Sequence, residues 1–312
     1  MEKSIDVIIP TYRPDAKFIS LLLALKRQSI SPNNIIVVNT DKSIWNKLDM
    51  DTKVKNTLGV DISKLILKHI EKKDFDHGRT RNYGVSFSKT KYFICMTMDA
   101  VPKDEYLIEN LLKTMSDKVK LSYARQIANE DADILEKFTR NFNYPDKSII
   151  KSKSTEQIYG IKNYFCSNVC ACYERESFDK IGGFKENIIL NEDMIYAYDL
   201  LNTGKSLEYV AGAVVLHSHS YTGKEQFKRN FDIGVSQAMD KRIFSSLKSE
   251  TEGIKMIKLN IRHLKEQKEL YYLPKLIYIS ACKFLGYKLG KSYKKLPKSI
   301  IKLCSLNKAY WR

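Results

Sequence analysis

The strongest constraint on this chain is a pattern in its first hundred residues. Short apolar runs, each closed by polar or acidic residues, alternate with stretches of helical spacing. Ile5 to Ile9 is the first run, ended by Pro10-Thr11, and it reads as a buried strand leading into a loop. Phe18, Leu21, Leu22 and Leu25 then recur at helical intervals, and Ile35 to Val38 predicts a second strand that stops at Asn39-Thr40-Asp41. Leu65 to Ile70 predicts a third strand, Thr80 to Ser88 a helix, and Tyr92 to Met96 a fourth strand with Asp99 just beyond it. Strand and helix in alternation imply an α/β fold with a largely parallel sheet covered on both faces. Ligands of such sheets bind at the carboxyl ends of the strands, where Thr11, Asp41 and Asp99 all fall.

The middle of the chain is less regular. Asn163 to Tyr173 reads as a strand and Glu176 to Phe184 as a short helix stopped by Gly182-Gly183. Asn191 is a suitable N-cap for a helix from Glu192 to about Asn202, with Gly204 as its C-cap. Leu207 to Leu216 predicts a last strand that delivers His217 and His219, and from Lys224 onward the pattern is helical.

Composition limits what this frame can do. Across 312 residues, 43% are apolar, enough for a core and too many for a disordered chain. The net charge of +17 is uneven: Thr251 to Arg312 holds 15 Lys+Arg against 3 Asp+Glu, leaving the first 250 residues near neutral. The chain therefore reads as a body with a basic tail, suited to nucleic acid, an anionic membrane or an acidic substrate. No apolar stretch reaches the ~20 residues of a membrane span, and MEKSIDVIIPTY lacks the form of a signal peptide. Six cysteines without paired spacing imply reduced thiols and a cytoplasmic setting.

Four groups of residues have types and positions suited to chemistry. Asp99 ends an apolar strand, where a carboxylate either holds a divalent metal against a diphosphate or simply caps the helix starting near Asp104. Glu192-Asp193 open a helix, where acids are favoured by the helix dipole or, projecting into a cleft, can take a proton from an attacking hydroxyl. His217 and His219 alternate at a strand end, so that one of them faces a given site as metal ligand or phosphate donor, unless both are surface residues. Arg79 and Arg81 precede a helix in DFDHGRTRNYG, a place for a phosphate or for a solvated loop. The cysteines and aromatics of Phe165 to Tyr173 read as core, with no metal-ligand spacing.

In order along residues 3 to 245, VIIPTYRP (7–14), DFDHGRTRNYG (74–84), MTMDAVP (96–102), ARQ (124–126), FNYP (142–145), FCSNVCACYERESFDKIGGF (165–184), NEDMIYAYDLLNTG (191–204), VLHSHSYT (215–222) and FKRNFDIG (227–234) resemble the inverting family-2 glycosyltransferases of GT-A fold. The likeness is greatest to bacterial rhamnosyltransferases of cell-wall and O-antigen polysaccharide synthesis. It implies a Rossmann-like mixed, mainly parallel sheet flanked by helices, with a catalytic domain over 1–223 and a basic helical region over 224–312. Within the domain, 1–120 would be the nucleotide-sugar half and 121–223 the acceptor and catalytic half.

By position, the resemblance implies that Pro10, Thr11, Tyr12, Arg13, Asn39, Thr40 and Asp41 surround the base and ribose of a nucleotide-sugar. His77, Gly78, Arg81 and Asn82 would approach the ribose and diphosphate, and Met98, Asp99 and Ala100 would contact the nucleotide-sugar at the metal-binding segment. Asp193, after Glu192, would be the catalytic base, and a divalent cation (Mn²⁺ or Mg²⁺) would sit on Asp99 with His217 or His219. The chain departs from the family's two-acid DxD motif, since Asp99-Ala100-Val101 supplies only one acid. Arg81 is expected near the departing diphosphate. The implied donor is dTDP-β-L-rhamnose, with a UDP-hexose as the alternative, and the implied acceptor is a lipid-linked saccharide.

Other classes fit less well. VIIPTYRP lacks the glycine-rich, lysine-bearing loop of a nucleotidyltransferase, and the tail lacks a nucleic-acid-binding motif. The basic tail, with Leu273, Ile277, Phe284 and Leu285 among its lysines, suits peripheral contact with an anionic inner membrane face.

Overall fold

The computed structural model describes residues 4–219, 221–244 and 249–311. Among these, one sheet contains nine strands: β1 (Ile5–Tyr12), β2 (Ile35–Thr40), β3 (Leu65–Ile70), β4 (Tyr92–Met96), β5 (Val101–Pro102), β6 (Val119–Ile127), β7 (Ile149–Lys151), β8 (Cys170–Glu174) and β9 (Ser206–Leu216). Their order is β3-β2-β1-β4-β8-β6-β9-β5, with β7 also on β9. The first four strands are parallel, and β9 runs parallel to β6. β8 lies antiparallel between β4 and β6, while β5 and β7 are antiparallel to β9. The sheet is mixed, and its longer ladders are parallel.

Continuous apolar strands follow from burial on both faces. Val7 and Ile9 pack with Phe18, Leu21 and Leu22, whereas Ile8 faces a second core that includes Phe93, Tyr173 and Tyr196. The helix carrying Phe18 to Leu25 spans Ala16–Lys26 and is capped by Asp15, whose side chain accepts from Lys17 N at 2.9 Å.

Several local expectations change. Pro10 does not end β1, which continues to Tyr12. Val7 N donates towards β2, so by alternation the missing Pro10 N–H would face β4. β4 pairs with β1 only as far as Ile8↔Cys95, so no ladder bond is lost at Pro10. Asn163 to Tyr173 is not one strand: a 3₁₀ turn at Gly160–Tyr164 and an irregular loop precede β8. The next helix is Arg175–Ile181, ended by left-handed Gly182. The Glu192–Asn202 helix begins where expected, but Asn191 is left-handed (φ 68°) and does not cap it. Its amide donates instead to Ser236 Oγ at 3.0 Å. Thr203, not Gly204, is the C-cap.

The C-terminal helices are not a detached tail. The Gly223–Met239 and Leu273–Lys291 helices meet backbone to backbone: a Cβ on Gly286 or Gly290 would stand 2.1 Å from the carbonyl oxygen of Phe227 or Phe231. Asp232 Oδ2 accepts from Leu306 N and Asn307 N, at 2.9 and 3.0 Å, and Lys275 pairs with Asp133 at 2.6 Å. Leu273 packs against the Leu135–Leu264–Leu276 cluster, while Ile277, Phe284 and Leu285 are exposed. No described helix is long and apolar enough to cross a membrane.

Candidate active site

The carboxyl ends of β1, β2 and β4 carry the first group of residues. Thr11 and Asn39 are register partners, and Thr11 Oγ1 donates to Asn39 Oδ1 at 3.1 Å. The Asn39 amide also reaches Asp41 O (3.3 Å) and His69 Nδ1 (3.0 Å). Asp41, with φ 74°, caps the Lys42–Lys47 helix by accepting from Ser43 N at 3.1 Å. Pro10 and Tyr12 are half-buried, and Thr40 is buried, its hydroxyl unpaired among the described residues. Exposed Arg13 (φ 52°) lies 5.2 Å from the centre of the Tyr12 ring, with Lys72 at 5.5 Å. The turn after β4 holds Met98 half-buried and Ala100 fully buried, with Asp99 between them.

Sheet register brings the end of β9 to the single acid of this segment. Val101, two residues after Asp99, belongs to β5 and pairs with Leu216 of β9. His217 follows Leu216 directly, so β9 ends beside Asp99. Strand alternation no longer governs past Leu216, and both histidines turn to the carboxylate. Asp99 Oδ2 lies 3.6 Å from His217 Nε2 and 3.3 Å from His219 Nε2, and the two ring nitrogens are 3.1 Å apart.

One carboxylate oxygen and two imidazole nitrogens thus lie within 4.8 Å of one another. The shell behind them orients the donors. Arg140 Nη1 can only donate, and it donates to Gln126 Oε1 at 2.6 Å, fixing that atom as the amide oxygen. His217 Nδ1, 3.0 Å from the same oxygen, must therefore carry the proton, leaving Nε2 with its lone pair towards Asp99. Burial pushes the His217 pKa well below the usual histidine value, which keeps the ring neutral. A neutral imidazole with its bare nitrogen aimed at a carboxylate fits a cation-binding set.

The second group sits at the start of the Glu192–Asn202 helix. Glu192 is buried and pairs with buried Arg81, Oε1 to Nη1, at 3.1 Å. Burial alone would raise the Glu192 pKa, but Arg81, followed by His77 and Asn168, holds it below the usual range. Asp193 accepts from Asn168 N (2.9 Å) and from Met194 N (2.8 Å). Burial, and then the charge of Glu192, pushes its pKa up to about 7. Two adjacent acids are thereby driven apart, one ionised and one poised near neutrality.

Asp193, His217 and His219 line one cleft of about 420 Å³, together with Arg140, Arg229 and Lys283. The DFDHGRTRNYG segment supports the cleft from behind. Arg81 also donates to His77 O at 2.9 Å, and its buried Nε has no hydrogen-bond partner among the described residues. His77 is half-buried, with Phe75 edge-on at 5.1 Å. Gly78 packs against the 184–187 turn, where a Cβ would stand 2.0 Å from Lys185 O. Asn82 clamps the same turn, accepting from Phe184 N (2.9 Å) and donating to Phe184 O (2.8 Å).

Residues 6–182 match the pattern described as "Glycosyl transferase family 2". The chain belongs to glycosyl transferase family 2.

The glycosyltransferase is 37% identical to the O-antigen chain rhamnosyltransferase RfbN of Salmonella typhimurium (strain LT2), over 98% of this chain and 96% of that one. It is 33% identical to the O-antigen chain rhamnosyltransferase WbaN of Salmonella anatum, over 99% and 96%. Among solved structures it resembles the mannosyltransferase PcManGT from Pyrobaculum calidifontis in complex with GDP-Man and Mn²⁺ (TM-score 0.55, 12% identity, 100% of this chain and 85% of that one). It also resembles S. aureus TarS 1–349 (TM-score 0.52, 14% identity, 94% and 91%). These structural likenesses bear on the fold, which is GT-A.

Two residues of the glycosyltransferase site escape a reading of the sequence. Asn168 joins the two acids: its N–H donates to Asp193, its amide donates to Glu192 Oε1 at 3.1 Å, and its oxygen accepts from Tyr173 OH at 2.7 Å. Gln126 joins His217 to Arg140, Tyr144 and Ser167. Asn168 and Gln126 stand in two segments that carry the family resemblance, 165–184 and 124–126, but nothing local in either segment gives the residue a role. All six cysteines are free thiols, and four are buried in the core.

Proposed function

We propose that this glycosyltransferase transfers L-rhamnose, with inversion, from dTDP-β-L-rhamnose to a hydroxyl of a lipid-linked saccharide in the assembly of a bacterial surface polysaccharide. The observation that carries this reading is the near-full-length identity, 37% and 33%, to two O-antigen chain rhamnosyltransferases. The single cleft shared by Asp193, His217 and His219 supports it chemically.

Asp193 is the base. Its carboxylate accepts the proton of the acceptor hydroxyl as that oxygen attacks the anomeric carbon from the face opposite the nucleotide. The bond from the anomeric carbon to the diphosphate oxygen breaks, and an α-L-rhamnoside results. Asn168 N–H and Met194 N–H hold the two Asp193 oxygens, so the base enters the reaction already oriented. Glu192 remains a fixed anion on Arg81 and raises the basicity of its neighbour. Thr11, Asn39 and Asp41 at the strand ends border the nucleotide, with Tyr12 and its two cations as the face for the base.

Asp99, His217 and His219 would hold a divalent cation that neutralises charge on the leaving diphosphate. A mixed carboxylate–imidazole set suits Mn²⁺ better than Mg²⁺, which takes oxygen ligands. Residues 1–223 form the catalytic unit in this reading, split near 120 into donor and acceptor halves, and 224–312 complete its acceptor side. The work is placed at the cytoplasmic face of the membrane, through peripheral contact by the basic helices.

The test is release of nucleotide from dTDP-rhamnose, UDP-glucose, UDP-galactose and UDP-GlcNAc, each with Mn²⁺, Mg²⁺ or chelator. Turnover of dTDP-rhamnose above the others is expected. Preference for a UDP-hexose would replace the donor assignment while leaving the chemistry of the cleft in place.

A further inference from the structure

The Asp193 cleft continues into the C-terminal helices. Two neighbouring cavities, of about 390 and 260 Å³, share Met256 and Lys283 with it, so the three spaces meet at these two side chains. Met256 comes from the Ser249–Glu266 helix and Lys283 from Leu273–Lys291. The character of the walls changes along the path. At the Asp193 end they carry Arg140, Arg229 and Gln126. At the far end they are mostly apolar, with Ile233, Ile254, Ile257 and Phe284. Ile254 and Phe284 are more than half exposed and mark the mouth of the path at the surface.

Lys283 stands where the two characters meet. It is half-buried and makes no hydrogen bond or ion pair among the described residues. Glu136, the acid that acts on it, is already paired with Arg140 at 2.8 Å. A half-buried ammonium with no acid of its own is stabilised by an anion that joins it. His217 and His219 mark the donor end of the cleft and do not reach the far, apolar space that Lys283 also lines, so an anion that joins Lys283 together with an apolar group on that side belongs to the acceptor.

We infer that the path from Asp193 past Lys283 to Ile257 and Phe284 is a binding site for a phosphate-linked hydrocarbon chain, with the phosphoryl group on Lys283. The acceptor hydroxyl then stands at Asp193, the phosphoryl group at the ammonium and the first apolar units between the two helices. The inference rests on the lipid-linked acceptor of the proposed function and gives that acceptor a location. Lys283 touches the acceptor far from the reacting atoms, and it is a positioning residue.

The probe is farnesyl diphosphate, kept below its micelle concentration and titrated calorimetrically against the full chain, beside inorganic pyrophosphate and farnesol. Farnesyl diphosphate is expected to bind at least about tenfold more tightly than either half alone, since charge-assisted and apolar contacts act together. Lys283→Met should weaken it about tenfold or more, Lys283→Arg should restore most of the affinity, and Phe284→Ser should weaken it while leaving pyrophosphate unaffected. Affinity for dTDP should be the same in all variants. Equal binding of pyrophosphate and farnesyl diphosphate, or unchanged binding by Lys283→Met, would overturn the inference. The donor panel reports separately on the reaction: turnover of dTDP-rhamnose without a Lys283-dependent farnesyl site sinks only the inference, and the reverse pair of results sinks only the donor assignment.

Discussion

Arg81 Nη1 lies 3.1 Å from Glu192 Oε1, and both side chains are almost wholly buried. This ion pair lets two consecutive acids behave differently, because it stabilises the charge on Glu192 and leaves Asp193 to meet both burial and a neighbouring anion. Arg81, which the resemblance implies near a departing diphosphate, is paired in the structure with the acid next to Asp193.

A base must be unprotonated to act. With the Asp193 pKa pushed up to about 7, kcat/KM should rise tenfold per pH unit below that value and level off above it. Asp193→Asn should lower kcat by about 10²–10⁴-fold and leave the Kd for dTDP within about twofold. Normal turnover by this variant would remove Asp193 from the base role.

Glu192→Gln should move the acidic limb of that profile to lower pH. The substitution removes the anion that raises Asp193 and leaves Arg81 acting on it unopposed. It also strands a buried guanidinium, so a loss of about 3–5 kcal/mol in denaturant unfolding is expected. Arg81→Met should cost a similar amount, and the double variant Arg81→Met/Glu192→Gln should be more stable than either single one. Simple addition of the two losses would contradict a coupled pair.

The sequence discloses this site unevenly. β1 to β4 are legible because each is a local apolar run, and Asp99 is visible as the acid after the fourth. The helix of Glu192 and Asp193 is legible from its first residue to its last. The convergence of His217 and His219 on Asp99 is not, because it depends on the Val101↔Leu216 pairing across more than a hundred residues. Asn168 and Gln126 are hidden for a similar reason: an amide's partners are set by tertiary contacts that leave no period in the chain. Asn82 and Gly78, which the resemblance implies near the ribose and diphosphate, also hold the 184–187 turn, a structural role that their place beside a helix start does not disclose.

Gln126 fixes the proton of His217 on Nδ1. Gln126→Met should therefore raise the half-saturating Mn²⁺ concentration about 10–100-fold, as loss of an outer-shell partner does at metal sites. His217→Ala should raise it further. Electron paramagnetic resonance of free Mn²⁺ reads both effects independently of turnover. Equal Mn²⁺ affinity in wild type and His217→Ala would remove the histidine from the donor set.

Ile277, Leu285 and Leu303 are exposed on helices rich in lysine. Each basic residue near an anionic surface is worth about 1 kcal/mol. The triple variant Ile277→Ser/Leu285→Ser/Leu303→Ser should float less with phosphatidylglycerol vesicles than the wild type, and neither should float with neutral vesicles. Because the residues from Leu273 to Asn307 pack on the body, point substitutions test this better than truncation. Unchanged flotation would return these helices to a purely internal role.

The close helix pair provides the last expectation. A Cβ on Gly290 would stand 2.1 Å from Phe231 O, and the obstacle is backbone, which cannot turn aside as a side chain can. Gly290→Ala must push the Leu273–Lys291 helix away from Gly223–Met239, with an overpacking cost of about 1–3 kcal/mol. The same shift carries Lys283, two helical turns earlier, away from the cleft. Gly290→Ala should therefore lower Tm and raise KM for a lipid-linked acceptor while the Kd for dTDP stays constant. Gly253→Ala is the control, because nothing lies within 4 Å of its added Cβ and a helical alanine is the more favourable residue. An equal fall in Tm for both would mean that the Gly290 contact does not hold the helices together.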